Sequence, residues 1–238
     1  MKKHFITFGD TRKYQAALAR IEREAVAMAY FDSVLVCDEN SITELIAEHH
    51  EFFARSKTGF GYWIWKSHLV RRELEAMADG DILLYADSGC QFNVNAASMR
   101  RLQDYFDMLA DSPHASLSFE LIHLERRWTK RDCFDHFDVA VDDSRQLMAT
   151  AFLVKKCRAG LDLIDGINDL ISKKRYHLFD DTPSLAPNDP DFIEHRHDQS
   201  IFSLLRKAAG TLILPDETWF KDWADGKNYP IHAARLRG

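Results

Sequence analysis

Three aspartates each follow a short apolar run in the N-terminal part of the chain. They are Asp10 after Phe5–Phe8, Asp38 after Val34–Cys37, and Asp87 after Ile82–Ala86. A carboxylate at the end of a strand can be presented to a divalent cation, which in turn bridges two phosphates. Asp87 is followed by Ser88 and Gly89, and these residue types also favour ordinary tight turns. The segment therefore predicts either a phosphate-binding turn or a purely structural one.

A lysine lies at the end of an aromatic, glycine-containing segment, Gly59–Lys66. Lys66 would begin the helix that leads into the strand before Asp87. That position suits a cation that neutralises a diphosphate leaving group. The alternative is an aromatic core cluster from which the lysine extends to solvent.

The segment His195–Gln199 combines two histidines, an arginine, an aspartate and a glutamine. Asp198 and Gln199 at the start of a helix could hydrogen-bond sugar hydroxyls. If the pair has no function, Asp198 is the natural cap of that helix. Two histidines that flank an arginine also suggest zinc, but no zinc-binding spacing accompanies them.

Four further residues with possible roles follow the predicted strand Ser116–Phe119, and they are Glu120, Glu125, Trp128 and Lys130. A carboxylate can act as a general base that takes the proton of an attacking hydroxyl group, and Glu120 or Glu125 could do so. Trp128 could stack on an acceptor sugar, with Lys130 beside it. The alternative is a solvated, charged face around Glu125.

The elements that must position these residues alternate between strands and helices. After the first strand, the pattern predicts a helix over Tyr14–Met28, a second strand, a helix over Ile42–Phe53 opened by Ser41, a helix over Trp65–Met77, and the strand before Asp87. This order indicates a doubly wound sheet, which binds ligands at the carboxyl ends of its strands.

The second half of the chain is less regular. Beyond Ser116–Phe119, it predicts strands over Leu147–Val154 and Leu212–Leu214, helices over Gly160–Ile171 and from His195–Gln199 through Leu205, and a proline-containing loop over Asp180–Asp191. We divide one predicted domain, 1–238, into a nucleotide-binding half, 1–115, and an acceptor-binding half with a C-terminal tail, 116–238.

Composition limits the function. The chain has 238 residues, of which 46% are hydrophobic and 29% charged, as in folded globular domains. The net charge of −6 gives no general attraction for nucleic acid, so no nucleic-acid partner is expected. The four cysteines form no CxxC pair. The N-terminus lacks the long apolar stretch of a signal peptide, which predicts a cytoplasmic protein.

Three of these features together resemble the GT-A superfamily of nucleotide-sugar glycosyltransferases. They are Phe8-Gly9-Asp10, the Leu84–Gly89 turn, and His197-Asp198-Gln199-Ser200. The resemblance is closest to bacterial enzymes of capsule and lipopolysaccharide synthesis and to the galactosyltransferase group that includes glycogenin. It implies a single α/β domain with a GT-A-type, Rossmann-like mixed sheet flanked by helices. It also implies a hexosyltransferase (EC 2.4) that moves a sugar from a nucleotide diphosphate, with UDP expected, to a glycan acceptor in surface polysaccharide synthesis.

The resemblance also assigns parts of the donor to residues. The nucleoside would lie against Phe8, Gly9, Asp10 and Asp38, the diphosphate against Lys66, Asp87 and Arg235, and the sugar against Asp198 and Gln199. The Asp-Gln pair favours retention of the anomeric configuration. A lipid-linked acceptor would bring the protein to the inner face of the membrane.

The predicted metal site is where this sequence departs from the superfamily pattern. The superfamily turn carries two acids separated by one residue, whereas here Gly89 stands where the second acid would be. Mn²⁺ or Mg²⁺ at Asp87 would then need another ligand, for which His197 and His232 are the candidates. Two other functions stay open, a metal-dependent phosphoesterase or hydrolase and a nucleotide-binding module without turnover.

Overall fold

The computed structural model describes residues 1–237, which contain eight strands. These are β1 Lys3–Phe8, β2 Ser33–Cys37, β3 Ile82–Ala86, β4 Gln91–Phe92, β5 Ser116–Leu124, β6 Arg145–Lys155, β7 Leu212–Pro215 and β8 Ile231–His232. Six of them form one sheet in the order β2-β1-β3-β6-β5-β7, and β4 pairs with β8 in a second, two-stranded sheet. The predicted mixed α/β sheet is confirmed.

Strand direction explains where the site forms. Strands β1, β2 and β3 are parallel, so the residues after them emerge at one edge of the sheet. β6 runs antiparallel to β3, with Ala86 opposite Ala151. The first half of β6 therefore lies at the same edge as the carboxyl ends of β1–β3. This edge is where ligands bind in sheets of this kind.

Helices cover both faces of the sheet. They are α1 Thr11–Ala27, α2 Thr43–Glu48, α3 His50–Arg55, α4 Gly59–Tyr62, α5 Trp65–Ala76, α6 Ala96–Asp111, α7 Glu125–Trp128, α8 Arg131–Phe137, α9 Arg158–Ser172 and α10 Asp198–Ala209. Along β3, Leu83 and Tyr85 face the core packed by α5, α9 and α10, while Leu84 and Ala86 face the core packed by α1 and α6. The continuous apolarity of β3 follows from this two-sided burial.

Several predictions of secondary structure need correction. The single helix expected over Ile42–Phe53 is a 3-10 turn, Glu39–Ile42, followed by α2 and α3, which separate at His49. The first turn is capped by Asp38 and not opened by Ser41. Helix α6 was not predicted, and β5 and β6 are longer than expected.

No helix within residues 1–237 is both long enough and apolar enough to cross a membrane.

Candidate active site

The turns after β1 and β3 pack directly against each other. A Cβ atom on Gly9 would lie 2.9 Å from the Ser88 hydroxyl oxygen and 2.8 Å from the Cβ of Tyr14. Only glycine allows this approach without displacing a neighbour. Arg20 of α1 donates to the Ser88 carbonyl at 2.9 Å and fixes the second turn from the other side. The predicted convergence of the β1 and β3 turns is therefore present.

Asp10 lies in this junction with its carboxylate unused. The residue is 8% exposed, and its side chain makes no hydrogen bond or ion pair to any residue of 1–237. It makes no capping hydrogen bond to α1, and the first backbone N–H of that helix, at Thr11, donates to Glu39 at 2.9 Å. A carboxylate held at the sheet edge without a protein partner is free to accept ligand hydroxyl groups.

Lys66 joins two aspartates that are distant in sequence. Its ammonium lies 2.7 Å from the Asp198 carboxylate and 3.5 Å from that of Asp87, and it donates to the Ala149 carbonyl at 3.0 Å. Lys66 is 2% exposed, whereas the side chain of Asp87 is 32% exposed. The Tyr85 hydroxyl donates to Asp87 at 2.6 Å. This cluster is the centre of the candidate site.

Burial and charge act together in the cluster. Burial lowers the pKa of Lys66, but Asp198 and Asp87 outweigh burial, and the pKa is raised overall. Burial raises the pKa of Asp198, with Lys66 acting in the opposite direction. Burial first, and then Asp87, raises the pKa of Tyr85 well above its ordinary value. At neutral pH, therefore, Lys66 is a cation and Tyr85 is a neutral donor.

A row of amide groups extends the cluster towards β6. The side-chain oxygen of Gln199 accepts the Ala149 N–H at 3.3 Å, and its amide nitrogen donates to Gln146 at 2.7 Å. Gln146 is fully buried and donates in turn to Glu125 at 3.0 Å. Asp198 makes no side-chain capping bond, so the capping interpretation has no support. Gln199 is thus held next to the Lys66–Asp198 pair.

Glu125 is the buried end of this row. Its carboxylate accepts hydrogen bonds from Thr129 at 2.6 Å, from Lys207 at 2.7 Å and from Ser203, in addition to Gln146. It is completely buried. A carboxylate with its acceptor positions filled in this way is a structural group, so its predicted role as a base has no support in this arrangement.

The backbone before Lys66 is left-handed, so the short segment α4 is a turn and not a right-handed α-helix. All five residues from Gly59 to Trp63 have positive φ values, between 47° and 87°. Such a conformation costs about 1–2 kcal/mol for each residue other than glycine. It is held by contacts across the site, since Trp63 stacks on His197 at 5.4 Å and Tyr62 donates to Asp181 at 2.8 Å. The turn directs α5 so that Lys66 points inward.

Two residues predicted to contact the nucleoside are engaged elsewhere. Phe8 is buried and stacks on Trp65, with ring centroids 3.9 Å apart. The Asp38 carboxylate accepts the backbone N–H groups of Asn40 at 2.9 Å and Ser41 at 3.3 Å. Both contacts are structural, and they leave Asp10 as the free carboxylate of the first two strand ends.

The predicted acceptor residues have different surroundings. The Arg196 guanidinium covers one face of the half-buried Trp128 ring at 4.0 Å. Lys130 is buried and donates to the Asp180 and Thr182 carbonyls at 2.9 and 3.1 Å, so it anchors a loop and its acceptor-binding role has no support. Glu120 lies in β5, half buried and without an ion pair in the described part of the chain.

The predicted metal ligands are not brought together. His197 donates from Nδ1 to the Phe179 carbonyl at 2.8 Å, and its Nε2 lies 3.8 Å from Asp181. His232 donates from Nε2 to the Gly226 carbonyl at 2.8 Å. Among residues 1–237, no three His, Cys, Asp or Glu side chains are grouped closely enough to hold a metal ion. Asp87 is therefore not part of a ready-made metal site.

The C-terminal tail passes over the Asp87 turn. The Leu236 N–H donates to the Gly89 carbonyl at 2.9 Å, and a Cβ atom on Gly89 would lie 3.2 Å from the Cα of Arg235. Upstream, β8 of the tail pairs with β4. The backbone of Arg235 is thus brought to the turn.

Sequence reasoning missed Tyr85 and Gln146. Tyr85 is polar only at its hydroxyl and lies inside a continuous apolar strand, which hides it. Gln146 falls just before the predicted start of β6, and its full burial follows from tertiary contacts. For Tyr85, the signal was its position two residues before Asp87 on the same face of the strand.

Comparisons with known proteins agree with this architecture. No protein-family model matches the sequence, and no curated protein matches it significantly. A solved glycosyltransferase involved in the glycosylation of the major capsid of PBCV-1 aligns over 98% of this chain and 92% of its own, with a TM-score of 0.55 and 10% identity. The galactosyltransferase LgtC, solved with donor and acceptor sugar analogues, aligns over 90% of this chain and 74% of its own, with a TM-score of 0.51 and 14% identity. The chain has the fold of GT-A-type glycosyltransferases.

Proposed function

We propose that this protein transfers a sugar from a nucleotide diphosphate, a UDP-sugar, to a glycan acceptor in the synthesis of a surface polysaccharide. The observation that carries the proposal is the contact of Lys66 with both Asp87 and Asp198 at the carboxyl edge of the sheet. Burying a charged cluster is costly even when its members pair, and perturbed charged groups of this kind concentrate at functional sites. The similarity in fold to the two glycosyltransferases adds support.

In this proposal the donor lies along the sheet edge, with its nucleoside at the Asp10 end and its sugar at the Lys66 end. The ribose would meet the free Asp10 carboxylate, beside the close contact of Gly9 with Ser88. The diphosphate would follow the Asp87–Gly89 turn beneath the tail. The sugar would then lie above Lys66, Asp198 and Gln199, whose orientation is fixed before it arrives.

Transfer requires little proton chemistry from side chains. The bond from the anomeric carbon to the phosphate oxygen breaks, and the acceptor oxygen forms the new bond. With retention, the departing phosphate oxygen can take the acceptor proton. Inversion would need a carboxylate opposite the leaving group, for which Glu120 is the remaining candidate of the predicted pair. The anomeric configuration of the product, read by NMR, separates the two routes.

The predicted Mn²⁺ or Mg²⁺ does not fit the arrangement of these residues. A hard cation needs several oxygen ligands, and Asp87 offers one carboxylate that Tyr85 and Lys66 already contact. The place of a second acid is filled by the tail at Gly89. We therefore assign no step of the reaction to a metal.

The test incubates the protein with a panel of UDP-, GDP- and CMP-sugars, each with a set of glycan acceptors, with and without Mn²⁺. The quantity measured is the rate of nucleotide release. We expect one donor to release nucleotide faster with an acceptor. Phosphate release without an acceptor would indicate a phosphoesterase, and nucleotide binding without turnover would indicate a binding module.

Asp87→Asn provides the matched comparison. It should lower the transfer rate at least about a hundredfold, as when a transition-state contact is lost. Asp79→Asn, in the exposed turn before the same strand, should leave the rate unchanged.

A further inference from the structure

The charges at the site leave an imbalance that a diphosphate would worsen. Asp87 and Asp198 together carry two negative charges, and Lys66 between them supplies one positive charge. A bound diphosphate adds at least two more negative charges within a few ångströms. Further positive charge is therefore needed on the solvent side of the Asp87 turn.

Lys66 also occupies the space between the two carboxylates. Its ammonium lies 2.7 Å from Asp198 and 3.5 Å from Asp87 and donates to the Ala149 carbonyl, so it is held between the carboxylates by two ion pairs and one hydrogen bond. A divalent cation shared by Asp87 and Asp198 would have to displace an ammonium that is 2% exposed. The cation between these carboxylates is already part of the chain.

The tail closes the other route to a metal. From Gly89, a side chain would project at the tail backbone, where the Cα of Arg235 is 3.2 Å and the Leu236 carbonyl oxygen 3.5 Å from the Cβ position. A carboxylate at position 89 would meet this backbone and not a coordination site. The glycine is thus what allows the tail to lie on the turn.

The tail presents a free cation at this place. Arg235 is exposed, and it forms no ion pair with any residue of 1–237. Its backbone has a φ of 55°, and the neighbouring Leu236 N–H holds it to Gly89. Arg196, which covers Trp128, has its pKa lowered by burial, with Glu194 acting in the opposite direction and Arg235 adding a smaller decrease.

Resting on the proposed function, we infer that the site takes a nucleoside diphosphate without a divalent cation, and that the Arg235 guanidinium replaces that cation. The tail delivers Arg235 over the turn, and Lys66 holds the carboxylates beneath it. Arg235 would bind the phosphate group farther from the nucleoside, since the turn lies between the Asp10 end and the Lys66 end of the site.

The experiment measures UDP and UMP binding to the full chain by calorimetry, in metal-free buffer with EDTA and again with MnCl₂. UDP affinity should differ by less than about twofold between the two buffers. Arg235→Gln should weaken UDP binding about tenfold or more, as expected when a hydrogen-bonded charge contact is lost. It should leave UMP, which lacks the second phosphate, within about twofold. Arg237→Gln, an exposed arginine of the same tail, is the control and should bind UDP normally.

Two results would overturn the inference while leaving the proposed function intact. One is UDP binding or sugar transfer that appears only with Mn²⁺, and the other is Arg235→Gln binding UDP as well as Arg237→Gln does. If neither UDP, GDP nor CDP bound in either buffer, the proposed function would fail together with the inference.

Discussion

Replacing Lys66 with methionine tests whether the buried cluster is held by charge. Methionine keeps most of the side-chain volume but removes the ammonium that contacts Asp198 at 2.7 Å and Asp87 at 3.5 Å. Removing one partner of a buried ion pair costs about 3–5 kcal/mol, because the other charge stays buried without compensation. For a chain of this size, that loss lowers the melting temperature by about 6–20 °C.

A second substitution that restores stability is more informative than the loss of stability in Lys66→Met alone. Adding Asp198→Asn to Lys66→Met removes the stranded carboxylate, and the double variant should regain most of the stability, to within about 1–2 kcal/mol of the parent. Urea unfolding of the parent, both single variants and the double variant gives the coupling energy. Lys173→Met breaks an exposed pair with Asp169 and should change stability by less than about 1 kcal/mol.

The pH dependence of Lys66→Met has a definite sign. Burial already raises the pKa of Asp198, and without Lys66 it should rise further. The unfolded chain loses this proton near pH 4 while the folded chain keeps it, so stability falls as pH rises from about 4 to the folded pKa, by about 1.4 kcal/mol per unit. A loss below about 1 kcal/mol at pH 7, or no rescue by Asp198→Asn, would refute the charge cluster.

Three further predictions concern the sugar, the tail and a buried histidine. Asp198→Asn alone should reduce the rate of sugar transfer about a hundredfold but leave the affinity for UDP within a few-fold of the parent value. Single-turnover kinetics measure the first quantity and calorimetry the second. Gly89→Asp should displace the tail and weaken UDP binding, with no gain of Mn²⁺ dependence in the same titration. His195 is buried, and burial holds its pKa well below 6.5, so the parent should lose about 1.4 kcal/mol per pH unit below 6.5 as the unfolded chain takes the proton. The free energy of unfolding of His195→Gln, measured in urea at pH 5 and pH 7, should change less between the two pH values than that of the parent. An equal change in parent and variant would contradict the assignment.

The local pattern of apolar residues was sufficient to predict an element where that element is buried continuously on both faces. The run Ile82–Ala86 predicted β3 with its observed bounds, and the aspartates after β1, β2 and β3 were correctly placed at one sheet edge. Helix α6 also carries a helical pattern, with Leu102, Phe106 and Leu109 on one face, although no helix was assigned there. The sequence pattern was therefore sufficient to predict α6.

Long-range contacts account for the rest. The expected helix over Ile42–Phe53 breaks at His49, whose buried ring hydrogen-bonds to the Tyr176 hydroxyl at 2.6 Å. The Asp198 side chain turns from a capping position to Lys66, which lies far away in sequence. Glu125 was a candidate base or part of a solvated face, and Lys130 a candidate acceptor-binding residue, yet tertiary partners bury both. Such partners cannot be identified from residue types near the position itself.

The place of β6 between β3 and β5 has a consequence for biosynthesis. β3 leaves the ribosome about seventy residues before its antiparallel neighbour is complete. At ordinary elongation rates this interval is roughly 3–14 s, long compared with hydrophobic collapse. During that time one flank of an entirely apolar strand has no hydrogen-bonding partner, which is a template for association with other chains. The nascent N-terminal half is therefore most prone to association with other chains before β6 has been synthesised.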